Sequence, residues 1–323
     1  MENKFSIVMP VYNAEEYLQR SLSHVEALPQ DEFEILFIDD GSIDQSASIL
    51  VAYCNAHVNA RFIKSAHRGV SAARNAGIER AKNSYILFLD ADDRFLPRVF
   101  SVLKTAIEEN GADIIVFGAN VINYDSEHTL PDICPRNIVY RGFKPQALFD
   151  EVGARPYVWN CAYKAEFLQK NGIRFDEKIS LGEDKLFQFT AFPQAEIIQF
   201  ISDKLYCYNY LRVDSITSNI LTQGVNRCRL HIMLVDKVIE TVSKVQNCSQ
   251  IKIQTVSWLY YLLKNDMFEL CKDEFEEISK SLKIILKDKG INILKMKVNL
   301  KKKLAYCSLL NYKLCILRRV LKV

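Results

Sequence analysis

The sequence predicts an α/β protein with a mostly parallel central sheet and a C-terminal helical extension, and three observations carry that expectation. Short apolar strands alternate with helical stretches through the first 117 residues. Two of those strands run directly into acidic clusters. The last hundred residues keep only helical periodicity and turn basic.

Taken in order, Phe5–Val11 is a short apolar strand, and residues 14–27 place Tyr17, Leu18, Leu22, Val25 and Leu28 near helical spacing. Phe33–Ile38 forms a second strand, followed by Asp39-Asp40-Gly41-Ser42 and a helix over about 44–55. Arg61–Lys64 leads through Gly69 into a helix over about 70–82. The run Tyr85-Ile-Leu-Phe-Leu then meets Asp90-Ala-Asp-Asp93, a helix follows over about 97–109, and Asp113–Phe117 is again a strand. Strands alternating with helices of this length imply right-handed βαβ units and a parallel sheet. Residues 1–220 are expected to form the α/β domain and 221–323 a helical extension, in which Val235–Val242 and Trp258–Leu263 read as buried amphipathic helices.

Composition narrows the class. The chain of 323 residues is 49% hydrophobic and 25% charged, which is ordinary for a globular protein and disfavours disorder. Nine cysteines, an odd number, contain no C-x-x-C pair and follow no signal peptide, so a reduced, cytoplasmic setting is expected. No apolar run reaches the roughly 18–20 residues that span a bilayer. Residues 283–323 hold twelve of the 42 Lys/Arg but only one acid, Asp288, which leaves the tail near +11 and the rest near −8. That split points to an anionic partner. From Leu300, apolar residues recur at 304, 307, 310, 314, 317 and 321 among cations, although Lys303 and Arg318 interrupt the stripe. Such a helix can lie on an anionic membrane surface, gaining about 1 kcal/mol per cation, or pack on the N-terminal domain. Nucleic acid is disfavoured for want of aromatic interleaving, and a dinucleotide oxidoreductase because no G-x-G-x-x-G follows the first strand.

The chemistry is expected where strands end in acids. Carboxylates crowded after Leu89 repel one another unless a cation sits between them, and hard oxygen ligands suit Mg²⁺ or Mn²⁺. If the strands are parallel, Asp39-Asp40 and Asp90–Asp93 open onto one edge of the sheet, where α/β proteins bind ligands. One pocket could then place a carboxylate against a base or ribose and a metal-binding pair against phosphates. The plainer readings are an Asx turn at Asp39–Ser42, a helix cap at Asp92 or Asp93, and an N-cap at Asn13.

Together, Val8-Met-Pro-Val-Tyr-Asn13, Ile38-Asp-Asp-Gly-Ser42 with Asp44, Gly69-Val-Ser-Ala-Ala-Arg-Asn-Ala-Gly77 and Phe88-Leu-Asp-Ala-Asp-Asp93 resemble the nucleotide-sugar domain of family 2 glycosyltransferases, which have the GT-A fold. The resemblance continues in Trp159-Asn-Cys-Ala-Tyr-Lys164, Gly172–Asp176, Gly182-Glu-Asp-Lys-Leu-Phe187 and Tyr206-Cys-Tyr-Asn-Tyr210, covering about residues 4–218. It implies that Pro10, Val11, Tyr12 and Asn13 line the nucleotide, that Asp39 or Asp40 contacts the base, and that Arg74 and Asn75 lie on the nucleotide's flank. It also implies that Asp92 is the direct metal ligand, with Asp90 toward the ribose as the other half of the D-x-D pair.

An inverting transfer needs charge stabilisation for the leaving diphosphate and a general base for the acceptor hydroxyl. Glu183-Asp184 reads on its own as a pair of helix-start acids. By resemblance it matches the family's E-D motif, making Asp184 the base and Glu183 its orienting neighbour. None of the five histidines falls in a motif except His67, beside the Arg68-Gly69 turn, and each reads as a satisfied surface or core residue. Trp159 and Tyr157 lie near where an acceptor sugar could stack. Ala91 stands where the family often has serine, and Cys161 where it has lysine or arginine, a change that bears on the acceptor. The expected function is a metal-dependent, inverting glycosyltransferase, working in the cytoplasm or at the inner face of the membrane. It would move a sugar from a nucleotide diphosphate sugar, UDP-linked by resemblance, to a glycan or lipid-linked saccharide acceptor in surface polysaccharide synthesis. The alternatives are a nucleotidyltransferase and a non-catalytic nucleotide-sugar or membrane-binding module.

Overall fold

The computed structural model describes residues 4–122, 132–149, 157–209, 224–242, 248–298, 300–313 and 315. The chain divides into two compact units, Met1–Lys178 with Glu183–Leu211, and Ile179–Gly182 with Arg212–Val323.

The first unit opens with the expected alternation: β1 (Phe5–Val11), α1 (Glu15–Glu26), β2 (Phe33–Asp39), α2 (Ser46–Ala56), β3 (Ala60–Lys64), α3 (Val70–Arg80) and β4 (Tyr85–Phe88). β1 pairs in parallel with β2 on one side and β4 on the other, and β2 pairs in parallel with β3. Further along come β5 (Arg94–Phe95), α4 (Val99–Asn110), β6 (Ile114–Ile122), β7 (Ile138–Arg141), α5 (Gln146–Phe149), β8 (Cys161–Lys164), α6 (Ala165–Lys170), α7 (Glu183–Ala191) and β9 (Ile197–Asn209).

The strand order among the described residues is β3-β2-β1-β4-β8-β6-β9-β5, with β7 also on β9. β8 is antiparallel to both β4 and β6, so β6 keeps the direction of β4 but is separated from it by one reversed strand. β9 runs parallel to β6, while β5 and β7 are reversed against it. The sheet is therefore mostly parallel in direction, with reversed strands that the βαβ pattern alone does not reveal.

Both faces of the sheet are buried, as near-continuous apolar strands require. Phe5, Ile7 and Met9 of β1 and Leu87 of β4 face α1, α2 and α4, meeting Leu18, Leu22, Leu50, Phe100 and Leu103. Val8, Ile86 and Phe88 face the other way onto α3, α6 and α7, meeting Ile78, Leu168 and Phe187. Gly77 lets α3 pack tightly on β1: an added Cβ there would lie 2.2 Å from Val8 Cγ1.

The second unit is helical: α8 (Gly224–Val242), α9 (Cys248–Glu269), α10 (Lys272–Asp288) and α11 (Leu300–Ser308). Its core gathers Val235, Leu259, Leu263, Phe275, Ile278 and Leu282. Val235 and Leu259 lie in the stretches expected to be buried helices. Inside it, Arg227 Nε donates to Asp266 Oδ2 at 2.6 Å. The basic C-terminal stripe behaves differently from an outward-facing amphipath: Ala305, Tyr306, Leu309 and Cys315 are buried in this core, with Cys307, Leu310 and Tyr312 packed against it. Of the stripe positions, Leu314, Leu317 and Leu321, with Arg318, lie outside the described residues. No described helix is long and apolar enough to cross a membrane.

Replacing Gly77 with Ala would gain helix propensity but drive a methyl into Val8, a branched side chain in the middle of a central strand. The clash dominates, and Gly77→Ala is expected to lower unfolding free energy by about 1–3 kcal/mol in urea denaturation. A midpoint equal to the parent's would show that α3 can lift off β1.

Candidate active site

The order β3-β2-β1-β4 reverses direction of growth at β1, so the switch point at which such sheets form a ligand crevice lies between the C-terminal ends of β1 and β4. Its sequence signature is Pro10. Val8 O accepts from Leu89 N–H at 3.0 Å, so even-numbered residues of β1 turn their peptide groups toward β4. Pro10 falls on that side just past the last β4 partner, Phe88. A proline there removes no ladder bond, although it sits in a central strand.

The first wall is the end of β1. Val11 O accepts from Asp40 N–H at 2.8 Å. Asn13 adopts φ +46°, and its Oδ1 accepts from Ile43 N–H at 2.9 Å while its own N–H donates to Ser42 Oγ at 3.0 Å. The N-cap of α1 is Ala14, so Asn13 is a clasp between the two strand-end loops and not a helix cap.

The two acids after β2 differ in their commitments. Asp40 is fully engaged, its carboxylate accepting from Arg68 N–H at 2.9 Å and Gly69 N–H at 2.8 Å and contacting His67 Nδ1 at 3.0 Å. Asp39 accepts from Ser42 N–H through Oδ1 at 3.2 Å, the Asx turn expected, but its Oδ2 is buried with no hydrogen-bond partner. An orphaned buried carboxylate oxygen is costly and commonly marks a missing donor.

Arg74, on α3, joins the two halves of the site. Its Nη1 donates to Glu183 Oε1 at 2.9 Å and its Nη2 to Asp90 Oδ1 at 3.0 Å, with the side chain only 6% exposed. Its guanidinium carbon lies 5.4 Å from the Phe175 ring centroid. Burial opposes its charge, but Asp90 and Glu183 outweigh that and raise its pKa. Asn75 has a different office from the one expected: Nδ2 donates to Phe175 O at 3.0 Å and Oδ1 accepts from Phe175 N–H at 2.9 Å. Its amide is occupied in fastening α3 to the segment before α7.

In the acidic loop, Asp93 is buried and accepts from Tyr206 Oη at 2.7 Å and from Asn209 N–H at 2.7 Å. The same Tyr206 hydroxyl accepts from Asp90 N–H at 3.3 Å. Burial, then the charges of Asp92 and Asp90, raise the Asp93 pKa well above the ordinary carboxylate range. Neither Asp92 nor Asp93 caps α4, whose N-cap is Arg98. Among the described residues no group of three or more His, Cys, Asp or Glu could hold a metal by itself. Asp90 and Asp92 nevertheless fit Mg²⁺ or Mn²⁺, because such ions are commonly held by one or two carboxylates completed by substrate phosphates.

Glu183 and Asp184 open α7. Burial first, and the Asp184 charge second, raise the Glu183 pKa against the opposing pull of Arg74. Asp184 is partly exposed and its Oδ1 accepts from Lys185 N–H at 2.7 Å. Trp159 stacks against Tyr157, Tyr206 and Tyr208 with centroids 5.0, 4.7 and 4.9 Å apart. At 5% exposure it has no open face for a sugar and is a core residue. Tyr157 is half-buried, with Lys185 Nζ 4.3 Å from its ring centroid. Cys161 is buried in β8, its thiol pushed up to about 12 by burial. Sequence reasoning missed Tyr206 as the anchor of the acidic loop; its only signal was its place in a matching motif.

Three comparisons bear on this geometry. A family model described as Glycosyl transferase family 2 matches residues 6–172. The uncharacterized glycosyltransferase EpsJ of Bacillus subtilis is 31% identical over 208 residues, which is 63% of this chain and 60% of EpsJ. The poly(ribitol-phosphate) beta-N-acetylglucosaminyltransferase TarS of Staphylococcus aureus is 27% identical over 218 residues, 64% of this chain and 35% of TarS. The chain thus spans less than two thirds of these relatives' length. Among solved structures, S. aureus TarS 1–349 in complex with UDP-GlcNAc superposes with a TM-score of 0.62 at 19% identity, covering 95% of this chain and 90% of that one. That likeness shows the fold, the expected GT-A architecture with its helical C-terminal part.

Removing the Arg74 cation would leave Asp90 and Glu183 uncompensated, so Arg74→Met is expected to cost about 3–5 kcal/mol in urea denaturation. A loss under 1 kcal/mol would show that the two carboxylates do not depend on it. The raised Glu183 pKa also sets a sign for pH. A carboxyl whose folded pKa lies above its unfolded one gives stability that is complete below the unfolded value and lost as pH rises through the folded one. Stability should therefore fall across the weakly acidic range, less steeply in Glu183→Gln, with Asp93 supplying the remaining slope. Identical slopes in the two proteins would refute the assignment to Glu183.

Proposed function

The chain belongs to glycosyl transferase family 2, and from that premise we propose that it is an inverting transferase that moves a sugar from a UDP-linked donor to a hydroxyl of a cell-surface polysaccharide acceptor. One observation carries the reading: Arg74 ties the strand-end acid Asp90 to Glu183, so the acids expected at the donor and those expected at the acceptor are held on one buried cation.

In this reading Asp39 Oδ2 accepts an N–H of the base, and the segment Pro10 to Asn13 lines the nucleotide. Asp40 holds the 67–69 turn instead of touching the base. Asp92, with Asp90, would hold Mg²⁺ or Mn²⁺, which supplies Lewis-acid stabilisation of the leaving diphosphate. Asp184 takes the proton of the acceptor hydroxyl as its oxygen bonds to the anomeric carbon and the carbon–oxygen bond to the diphosphate breaks on the opposite face. Glu183, held by Arg74, orients the start of α7 and keeps Asp184 aimed. The UDP preference draws support from TarS, solved with UDP and with UDP-GlcNAc. The surface-polymer setting draws support from relatives named for transfer to poly(ribitol-phosphate). Contact with a membrane, where a lipid-linked acceptor would be presented, would rest on the basic charge of the C-terminal segment, since its described apolar positions turn inward.

The test is nucleoside diphosphate release from UDP-, GDP-, dTDP- and CDP-linked sugars, with and without chelator. UDP release lost with chelator and in Asp92→Asn is expected. Asp184→Asn should keep donor affinity within about twofold and lower transfer by ~10²–10⁴-fold, the usual contribution of a general base. Undiminished transfer in that variant would remove Asp184 from the mechanism, and release of pyrophosphate in place of a nucleoside diphosphate would identify a nucleotidyltransferase.

A further inference from the structure

Cys161 and Tyr163 stand two residues apart on β8, so their side chains share the face that packs on α7. Tyr163 is wholly buried, with T-shaped contacts to the rings of Phe88 at 6.0 Å and Phe187 at 5.3 Å. Phe187 lies on α7 between Asp184 and Gln188, which are one turn apart and project from the same side of that helix. The Tyr163 hydroxyl and Gln188 Nε2 are both buried, and neither closes a hydrogen bond. Orphaned polar groups in an apolar core are costly, and phenylalanine at 163 would fill the same space without the cost.

The surroundings of the two orphans give them a purpose. Gln188 and Cys161 are the polar neighbours of the Tyr163 hydroxyl, and the Asp184 charge bears on it as well. Burial above all pushes that hydroxyl well above its ordinary value, so it stays a donor and cannot serve as a base. Gln188 is itself oriented: its Oε1 accepts from Lys185 Nζ at 3.5 Å, and the same ammonium lies 4.3 Å from the Tyr157 ring centroid. With the amide oxygen turned that way, Nε2 is left for the Tyr163 oxygen and the Tyr163 O–H for an acceptor. We infer that Tyr163 is a positioning residue for Asp184: Gln188 Nε2 donates to the Tyr163 oxygen, and the Tyr163 O–H donates to the Asp184 carboxylate, which a side-chain rotation brings into reach when an acceptor binds. The inference rests on the base role proposed for Asp184 and deepens it. Among the described residues, the charged and titratable groups around Asp184 are Glu183 and Lys185 on α7, Arg74 on α3, and Tyr163 with Cys161 on β8. A hydrogen bond to a carboxylate favours its ionised form, so this chain of donors keeps the base ready to take a proton. Linked donors also polarise one another, and each bond gains from the next.

The experiment is steady-state UDP release from UDP-GlcNAc, UDP-glucose and UDP-galactose by the full chain, with water in place of the acceptor, for the parent, Y163F, Q188M and Asp184→Asn. Water gives its proton to Asp184 as its oxygen bonds to the anomeric carbon and UDP leaves. Y163F should lower kcat roughly ten- to hundredfold with KM within about twofold, and should move the acid limb of the kcat profile to higher pH. Q188M should shift both in the same direction by less. The thermal midpoint of Y163F should match or exceed the parent's, because the oxygen removed has no partner; that separates the loss from a folding defect. Parental kcat and acid limb in Y163F would overturn the inference alone and leave Tyr163 a packing residue. A fall in kcat without displacement of the acid limb would overturn it too. Undiminished release by Asp184→Asn would remove the base role, and no release by the parent from any of the three sugars would remove the donor reading, each taking the inference with it.

Discussion

A single buried guanidinium holds one end of this fold in register. Arg74 reaches from α3 to a strand-end acid on one side and a helix-start acid on the other, and the two lie 16 and 109 residues away in the chain. Paired in this way, the Arg74 and Glu183 charges can be tolerated largely out of water; unpaired, either would shift its protonation or move. Arginine suits the position because its planar fork can address two carboxylates at once, where a lysine presents one point charge. Packing reinforces the choice, since Phe175 lies beside the guanidinium and Asn75 fastens that phenylalanine's backbone to the same helix. The bridge is thus a property of α3 as a whole, and α3 is held flush to β1 by the missing side chain at Gly77.

The crevice follows from strand parity. β1 lies between β2 and β4, yet its pairing with β4 ends at Val8 and Phe88; Pro10, next on that side, has no N–H to offer, and the chain after β4 is released into the acidic loop. Two loops, from β2 and β4, then meet the end of β1 on one edge. Asn13 in a left-handed conformation and Asp40 beside the 67–69 turn knit the loops after β1, β2 and β3 together through backbone donors. Most of the polar atoms in the region are committed to this framework, which gives the few uncommitted ones, Asp39 Oδ2 above all, their meaning.

The parallel half of the fold was legible because apolar runs and helical spacing repeat there without interruption. The reversed strands were not: β8 has four residues and passes directly into α6, and β9 carries Ser202-Asp-Lys204 in its middle, which reads as a turn but continues as a strand across a bulge. In the site, the positions of the acids were legible and their division of labour was not. Asp39 and Asp40 are neighbours of identical chemistry, and only the donors contributed by residues 67–69 separate them. Likewise, Asp93 is withdrawn from its cluster by Tyr206 and Asn209, which no local pattern connects to it. The histidine read as an ordinary satisfied residue is satisfied indeed, but by the same carboxylate that organises the loop. Trp159, a plausible sugar platform by position, is closed off by three tyrosines.

The anchoring of Asp93 also sets an order in time. The acidic loop leaves β4 early in the chain, but its tether comes from residues 113 and 116 positions later. During synthesis at roughly 5–20 residues per second, the loop waits about 6 to 23 seconds for β9 to emerge and dock. Until then its three carboxylates stay in water, and the nascent chain has the loops after β1, β2 and β3 without a finished acidic one. Closing a loop of that span is a late, non-local event in folding, so the protein gains its full set of positioned acids only when nearly all of its first unit has left the ribosome.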